Sequence, residues 1–179
     1  MIKKIILGLI LLLAAGVGVL FALNGSRHYD PSRYHLRLTP TAKPFGVGST
    51  IDVTLPDQFD VPQGLPGDTR KVVFVFTKAT GHIFRSWMAS HNTRGYLAQR
   101  KIVAVADVSG MPAVILNTFA MPDFRKSPYS ILLIYDPKMA TRLKEGQAVD
   151  RVIVMTLANR TVTHIAHADS IQALDRLLR

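Results

Sequence analysis

The side chains that could do chemistry in this sequence are few, and the most conspicuous of them lie in the stretch Thr80-Gly81-His82-Ile83. A threonine hydroxyl becomes a nucleophile only beside a general base, and histidine is the side chain that most often serves as a base near neutral pH. No second titratable group is adjacent to His82 in the sequence, so an exposed histidine at the start of a helix is the simpler interpretation. We therefore expect this stretch to bind rather than to react, and we assign no catalytic residue.

Two histidines near the carboxyl end, His164 and His167, invite a metal interpretation. They are three residues apart in a predicted strand, however, so their side chains face opposite sides of it and one ion could not easily bind both. Asp107, followed by Ser109, ends another predicted strand, and an exposed carboxylate at the start of a loop is the commoner explanation for it. The sequence contains no glycine-rich phosphate loop, zinc signature or triad spacing. We predict neither a metal site nor a cofactor.

The composition excludes one whole class of mechanism. The 179 residues include no cysteine, so thiol oxidoreductase and peroxidase activities, disulfides and thiolate metal sites are all excluded for this polypeptide. The formal net charge is +10, but the basic residues are spread along the chain instead of clustering. A generally positive surface of this kind suits anionic lipid headgroups or an acidic protein partner better than nucleic acid.

The elements that must position the candidate stretch are a strand before it and a helix after it. The continuous apolar run from Val72 to Phe76 predicts a short central strand that is covered on both faces. A loop from Thr77 to Gly81 should follow it. Phe84, Trp87 and Met88 then recur at helical spacing; they could line a pocket, but such a stripe is more often the core-facing side of a helix. Ligands of α/β sheets usually bind at loops that leave the carboxyl ends of central strands, which places the candidate site in that loop.

The remaining segments predict one α/β domain. Parallel strands are expected where further buried runs are joined to the central strand by helices, and an antiparallel pair is expected where two runs flank a short turn. The predicted strands are 51–55, 102–108, 131–135, 152–157 and 161–166, and the predicted helices are 83–97, 112–120, 139–145 and a terminal helix capped by Asp169 or Ser170.

The amino-terminal segment carries the strongest pattern in the sequence. After Lys3 and Lys4, an uncharged run extends from Ile5 through Leu12 to Leu23, close to the roughly 20 apolar residues with which a helix crosses a bilayer. A cleaved signal peptide usually has a shorter apolar region and small residues at its cleavage site, so retention as an anchor is favoured over cleavage. The lysines keep the amino terminus cytoplasmic. We predict a single-pass protein of the inner (cytoplasmic) membrane, with its carboxyl-terminal domain in the periplasm or outside the cell.

Three regions follow from these patterns. Residues 1–23 form the membrane anchor or signal sequence, and residues 24–44, which contain mixed polar residues and prolines without an apolar period, form a tether. Residues 45–179 form the α/β domain.

Several short sequence motifs in that domain resemble motifs of the thioredoxin superfamily. Their order and spacing match the TlpA-like and peroxiredoxin-like branch, and among these the chain is similar to the YtfJ-type periplasmic proteins. The motifs are Phe45-Gly46-Val47-Gly48, Thr54-Leu55-Pro56-Asp57, the strand Val72 to Phe76, Pro128-Tyr129-Ser130 leading into Ile131 to Asp136, and the closing hairpin and helix. The resemblance implies a thioredoxin-like central mixed sheet flanked by helices, with an ancestral redox site in the loop after Phe76.

The departures from that family bear on function. Thr80 to Ile83 stand where the resemblance would place the catalytic cysteines, and Asp150-Arg151 stand before Val152 where relatives have a cis-proline. A scaffold that has lost both features does not carry over its reaction. We expect a non-catalytic binding or assembly module whose recognition loops are 80–83 and 150–151, with the inner membrane and an envelope protein as partners. The alternatives are a cysteine-independent enzyme or small-molecule-binding protein that uses the same groove, and an accessory subunit of a thiol-redox system.

Overall fold

The structure is a computed structural model that describes residues 2–24, 29–40, 44–91 and 93–179, with the side chains of the first segment described from residue 5 to residue 19. In these residues the strands are β1 (His35–Thr39), β2 (Thr50–Pro56), β3 (Pro62–Gly64), β4 (Lys71–Val75), β5 (Ile102–Asp107), β6 (Ile131–Ile134), β7 (Val152–Ala158) and β8 (Thr161–Ala168). The α-helices are α1 (Ile2–Asn24), α2 (Lys78–Ala89), α3 (Tyr96–Gln99), α4 (Ala113–Ile115), α5 (Met121–Arg125), α6 (Pro137–Lys144) and α7 (Ile171–Leu178).

The described strands form one mixed sheet in the order β1-β2-β8-β7-β4-β5-β6, with β3 paired to β2 outside this path. The pairs β4–β5 and β5–β6 are parallel, whereas β7 lies antiparallel to both β4 and β8. This arrangement confirms the predicted central strand, the strand-helix-strand connection and the closing hairpin. At the hairpin turn, Asn159 and Arg160 both have positive φ, as the predicted turn at Asn159 requires.

Alternation along the central strands divides the core between two faces of the sheet. Val72 and Phe74 of β4 pack in a cluster with α6 and the β1–β2 hairpin, and Val73 packs on the opposite face with α2 and α7. On that second face, the ends of β5 and β6 are covered by the helical segment from α4 to α5. The sheet therefore has helices on both faces.

Two helices depart from the predicted bounds. Helix α2 starts at Lys78 and ends at Ala89, and α3 is a separate short helix, because Gly95 in the left-handed conformation (φ 81°) separates them. The second crossover extends to Arg125 and contains one turn of π-helix from Leu116 to Ala120. The terminal helix has Ser170 as its amino cap, one of the two residues predicted for that position.

The expected tether contains regular structure. A 3₁₀ turn over Pro31–Arg33 leads into β1, which pairs antiparallel with β2 from His35↔Thr54 to Thr39↔Thr50. Leu38 of β1 is buried in the core. The packed domain therefore includes residues before position 45, and residues 25–28 and 41–43 of the expected tether lie outside the described residues.

The amino-terminal segment is helical as α1, and the side chains of Ile5 and Leu12 are exposed; the side chain of Leu23 lies outside those described. Within the part of the chain that the structure describes, no helix has both the length and the apolar character that a membrane crossing requires.

A buried amide joins the loop after β2 to the start of β6. Gln58 is only 2% exposed, and its side chain donates to the carbonyl of Tyr129 (2.8 Å) and accepts from the backbone N–H of Ile131 (2.9 Å). The amide therefore pairs with the edge of β6 as a neighbouring strand would. Arg125 supports the loop by donating from Nε to the Gln58 carbonyl (3.1 Å).

Replacing Gln58 with leucine should destabilise the fold by about 2 kcal/mol or more, because two buried backbone groups lose their partners. Chemical denaturation of the full chain measures the loss, and Gln63→Leu is the matched control because Gln63 is exposed. Equal midpoints for the two variants would show that the amide does not hold β6.

A second polar cluster joins α2 to α7. Trp87 donates from its indole nitrogen to Asp175 (3.2 Å), and His91 lies 3.7 Å from the same carboxylate. Hydrogen bonds from Arg179 are the largest cause of the lowered pKa of Asp175, and the bond from Trp87 is the next largest. A lowered pKa means that the charged carboxylate is favoured by folding, so its contribution is present above the ordinary pKa of 3.8 and is lost as the pH falls below that value.

Asp175→Asn should therefore be less stable than the parent chain at neutral pH, and the difference should shrink as the pH falls below 3.8. Denaturation of both proteins over a pH series checks this, with Asp169→Asn, an exposed carboxylate, as the control. A difference that stayed constant with pH would assign the loss to packing instead of charge.

Candidate functional site

The ends of the parallel strands and the start of β7 meet at one edge of the sheet, which we call the carboxyl edge. Val75 at the end of β4 pairs with Ala106, and Asp107 pairs with Ile134 at the end of β6. Because β7 runs antiparallel to β4, with Phe74 opposite Ile153, its first residues lie beside the end of β4. The first turn of α2 and the turn before β7 therefore lie at the same edge, where the family resemblance implied that they would meet.

The expected loop at residues 77–81 is instead the beginning of α2. Thr77 is the amino cap: its hydroxyl accepts from the Thr80 N–H (3.2 Å), while the Thr80 hydroxyl accepts from the Thr77 N–H (3.0 Å) and donates to the Thr77 carbonyl (2.9 Å). This reciprocal pair is a capping box with threonine at its third helical position. Thr80 is 0% exposed, so its hydroxyl is engaged in holding the helix start and is not presented to a substrate.

The other three residues of the candidate stretch lie on the first turns of α2. His82 is exposed, and no hydrogen bond or ion pair to its imidazole occurs among the described residues. Ile83 is half-buried against the cluster that contains Val152. A larger residue would fit at position 81 without a steric clash, because a Cβ built on Gly81 would meet nothing within 4 Å. The stretch therefore presents an imidazole without a partner base or acid.

The second candidate stretch is an exposed turn. Asp150 and Arg151 are both exposed, and the N–H of Arg151 donates to the carbonyl of Ala148 (3.1 Å), which closes the turn before β7. Val152, the next residue, is buried in the cluster against which Ile83 packs. The structure thus brings the two predicted stretches to the same edge, through their contact with one apolar cluster.

The carboxylate at the end of β5 is buried, in contrast to the exposed loop residue expected from the sequence. The side chain of Asp107 is 4% exposed and forms an ion pair with Lys144 of α6, while its other oxygen accepts from the Ser109 N–H (2.8 Å). Lys144 Nζ also lies 5.4 Å from the centre of the Phe76 ring. A buried charge requires such a partner. The pair holds α6 on the sheet, and no pattern in the sequence connects Asp107 with Lys144.

The side chains left exposed at the carboxyl edge are mostly basic. Lys78 and His82 are exposed on α2, and Arg151 is exposed in the turn, with Asp150 as the acidic side chain beside it. Lys78 was not singled out from the sequence, although its position directly after the amino cap could have identified it. The edge can attract an anionic surface, but the described residues offer it no nucleophile-base pair.

The metal interpretation of the histidines finds no support in the geometry. His164 and His167 are exposed on β8, and the described residues contain no group of three or more histidine, cysteine, aspartate or glutamate side chains that could hold a metal ion.

Two cavities open elsewhere in the described part of the domain. One, of about 540 Å³, lies at the opposite edge, between the loop from Gln63 to Thr69, helix α3 and the first residues of β5 and β6. The other, of about 280 Å³, lies between α2 and α5 and is lined by Arg85, Asp123 and Lys126. None of the six predicted recognition residues lines either cavity.

The cluster of Trp87, His91 and Asp175 is a further polar site that sequence reasoning missed. The tyrosine of α3, Tyr96, completes it, with its ring centre 4.8 Å from that of His91. Spacing of four residues connects Trp87 with His91 on one helix, but no sequence signal connects either with Asp175. Trp87 is also fully buried, together with Phe84 and Met88, so these three residues form the core-facing side of α2, as predicted.

Comparisons with known proteins bear on the fold alone. No family model and no curated protein sequence matches the chain. Among solved structures, the peroxidoxin BcpB from Mycobacterium tuberculosis is similar, with 19% identity, a TM-score of 0.47, and coverage of 74% of this chain and 93% of that one. StoA from Bacillus subtilis gives 12% identity, a TM-score of 0.47, and coverage of 77% and 99%. A SCO1/SenC family lipoprotein from Bacillus anthracis gives 13% identity, a TM-score of 0.42, and coverage of 72% and 94%.

These neighbours are thioredoxin-like proteins, as the sequence motifs predicted. The strand order and the core clusters of the chain itself define a mixed α/β sheet with flanking helices, and the chain has this architecture without a cysteine.

Proposed function

We propose that this chain is a membrane-anchored, envelope-facing binding module that recognises a protein partner through its carboxyl edge without catalysing a reaction. The recognition surface consists of Lys78, His82, Asp150 and Arg151, with Ile83 partly exposed among them. The observation that carries the proposal is that the reactive groups of this edge are occupied internally. The Thr77 and Thr80 side chains cap α2, and Asp107 is paired with Lys144, while the side chains around them face solvent.

The charge of the surface indicates what it binds. The surface exposes the basic side chains of Lys78, His82 and Arg151 and one carboxylate, that of Asp150. The formal net charge of the whole chain is +10. Complementary potential speeds encounter and selects among partners, so an acidic protein surface is the favoured ligand. Nucleic acid is a poorer fit, because the basic residues form no continuous stripe along the sequence.

The exposure of His82 on the first turns of α2, away from both of the cavities described above, favours a protein over a small molecule. Small-molecule sites are concave and bury most of their ligand, whereas neither of the two described cavities is lined by His82. An enzyme that used His82 would also need a second polar group beside it, and the described residues supply no hydrogen bond or ion pair to that side chain. The proposed role is therefore binding or assembly.

The membrane part of the proposal is supported by the sequence of α1. Lys3 and Lys4 precede the uncharged run from Ile5 to Leu23, and every described side chain in that run is exposed. A helix without a polar face is unsuited to water. The proposed topology places the amino terminus in the cytoplasm and the domain outside the inner membrane, in the periplasm where one exists.

Photo-crosslinking in native membranes tests the recognition surface. A photoreactive amino acid placed at position 82 or 151 of the full chain should give an adduct of protein size, and the same group at Ser90, which follows α2 at the opposite edge, should not. Arg151→Glu should reduce the adduct formed from position 82 by about tenfold, which corresponds to about 1.4 kcal/mol of binding free energy.

Arg176→Glu is the matched control, since Arg176 is an exposed arginine on α7 and its reversal changes the net charge equally. An adduct that formed from Ser90 but not from position 82 would contradict the proposal. So would an adduct that both arginine variants weakened to the same extent.

A further inference from the structure

Two large apolar side chains stand exposed on the helical segment that follows β5. Ile115 is 45% exposed and Phe119 is 61% exposed, four residues apart, and we call this pair the apolar stripe. The other face of the same segment is buried through Val114, Leu116 and Met121. A helix that packs on a sheet through one face normally presents polar residues on the other. The apolar stripe is therefore available for a contact outside the domain.

The π-turn explains how the segment can have one buried side and one exposed apolar side. Leu116 and Met121 are five residues apart, and in a regular α-helix they would point about 140° away from each other. The wider π-turn over Leu116–Ala120 brings both of them into the core. Phe119, which lies within the same turn, remains exposed to solvent. Single π-turns occur frequently at functional positions.

The chain enters the domain next to this segment. The Tyr29 ring is stacked between those of Tyr34 and Tyr135, with ring centres 5.3 Å and 5.0 Å apart, and Tyr29 packs against the cluster that contains Leu116 and Met121. Tyr34 and Tyr135 are themselves buried. The point where the chain leaves the domain towards α1 is thus fixed on the side that carries the apolar stripe.

Only a short link separates that point from α1. Helix α1 ends at Asn24, so five Cα–Cα steps join it to Tyr29, which can span at most about 18 Å. Helix α1 also contacts α4, on which Ile115 lies. The carboxyl end of α1 cannot therefore move far from the apolar stripe.

We infer that the apolar stripe inserts into the interfacial layer of the lipid bilayer that α1 occupies, so that the domain lies against the membrane instead of swinging on a tether. This inference rests on the membrane anchor in the proposed function. Exposed apolar side chains beside a helix that enters a bilayer are in reach of its acyl boundary. Arg33, exposed next to Tyr34, lies on the same entry segment, where it can meet anionic headgroups.

Single labels can test this cleanly because the chain has no cysteine of its own. Ile115→Cys and Phe119→Cys, each labelled with an environment-sensitive fluorophore, are reconstituted as full chains into vesicles of neutral and anionic phospholipid. Leu12→Cys reports whether α1 is in the bilayer, and Ser90→Cys, at the opposite edge, is the matched exposed control. We expect blue-shifted emission and quenching by lipid-attached quenchers at positions 12, 115 and 119, and water-like emission at position 90.

The outcomes separate the two proposals. Water-like emission at positions 115 and 119 together with a buried label at position 12 would overturn the apolar stripe as a membrane contact and leave the anchor standing. A water-exposed label at position 12 would overturn the anchor and this inference together. Equal blue shifts at positions 90 and 119 would indicate non-specific adsorption, which also contradicts the inference.

Discussion

The burial of β4 on both faces is the constraint on which the rest of the structure depends. Val72, Val73 and Phe74 are each 1% exposed, so β4 must have a partner strand on either side and a cover on either face. Its neighbour β5 is parallel and therefore needs a crossover helix, which is α2; its neighbour β7 is antiparallel and must start where β4 ends. The first turn of α2 and the turn at Asp150 consequently meet at one edge for reasons of topology alone.

That edge is then closed by polar groups that satisfy one another. The capping box of Thr77 and Thr80 provides partners for backbone donors at the start of α2, and Lys144 neutralises the carboxylate that β5 buries. Each arrangement engages a potentially reactive side chain in internal bonds, so that it cannot react with a substrate, and at the same time holds a helix in place. A rigid, internally satisfied edge loses little entropy when a partner binds, which suits recognition better than turnover.

Sequence reasoning succeeded where a signal was local and continuous. The apolar runs of β4, β5 and β6 and the turn at Asn159 specified the sheet and its closing hairpin, since each is set by residues close together in the chain. It placed Thr80 in a loop because a threonine at the third helical position is a weaker start signal than the usual glutamate or glutamine. It assigned residues 24–44 to a tether because β1 is only five residues long, and the alternation of Leu36 and Leu38 with polar residues is the strand signal that this assignment missed.

What the sequence could not supply were the pairings between distant residues. Gln58 bonds with the start of β6 and Asp107 pairs with Lys144, and neither partnership has a local pattern. The resemblance to the thioredoxin superfamily led us to expect the two candidate stretches at one edge of the sheet, where they lie, whereas the state of the side chains there depended on these distant contacts. The position of the candidate stretches in the fold was therefore predictable from the sequence. Whether their side chains were free to react or already bonded within the domain was not.

The stacking of Tyr29 between Tyr34 and Tyr135 links the two proposals physically. Tyr135 directly follows β6, whose end lies at the carboxyl edge, so the chain enters the domain at the same edge that carries Lys78, His82 and Arg151. A domain held there by a short link and the apolar stripe would present its recognition surface at a fixed height above the bilayer. A partner anchored in the same membrane would then meet that surface at a high effective concentration, and even a modest charge complementarity would be enough for association.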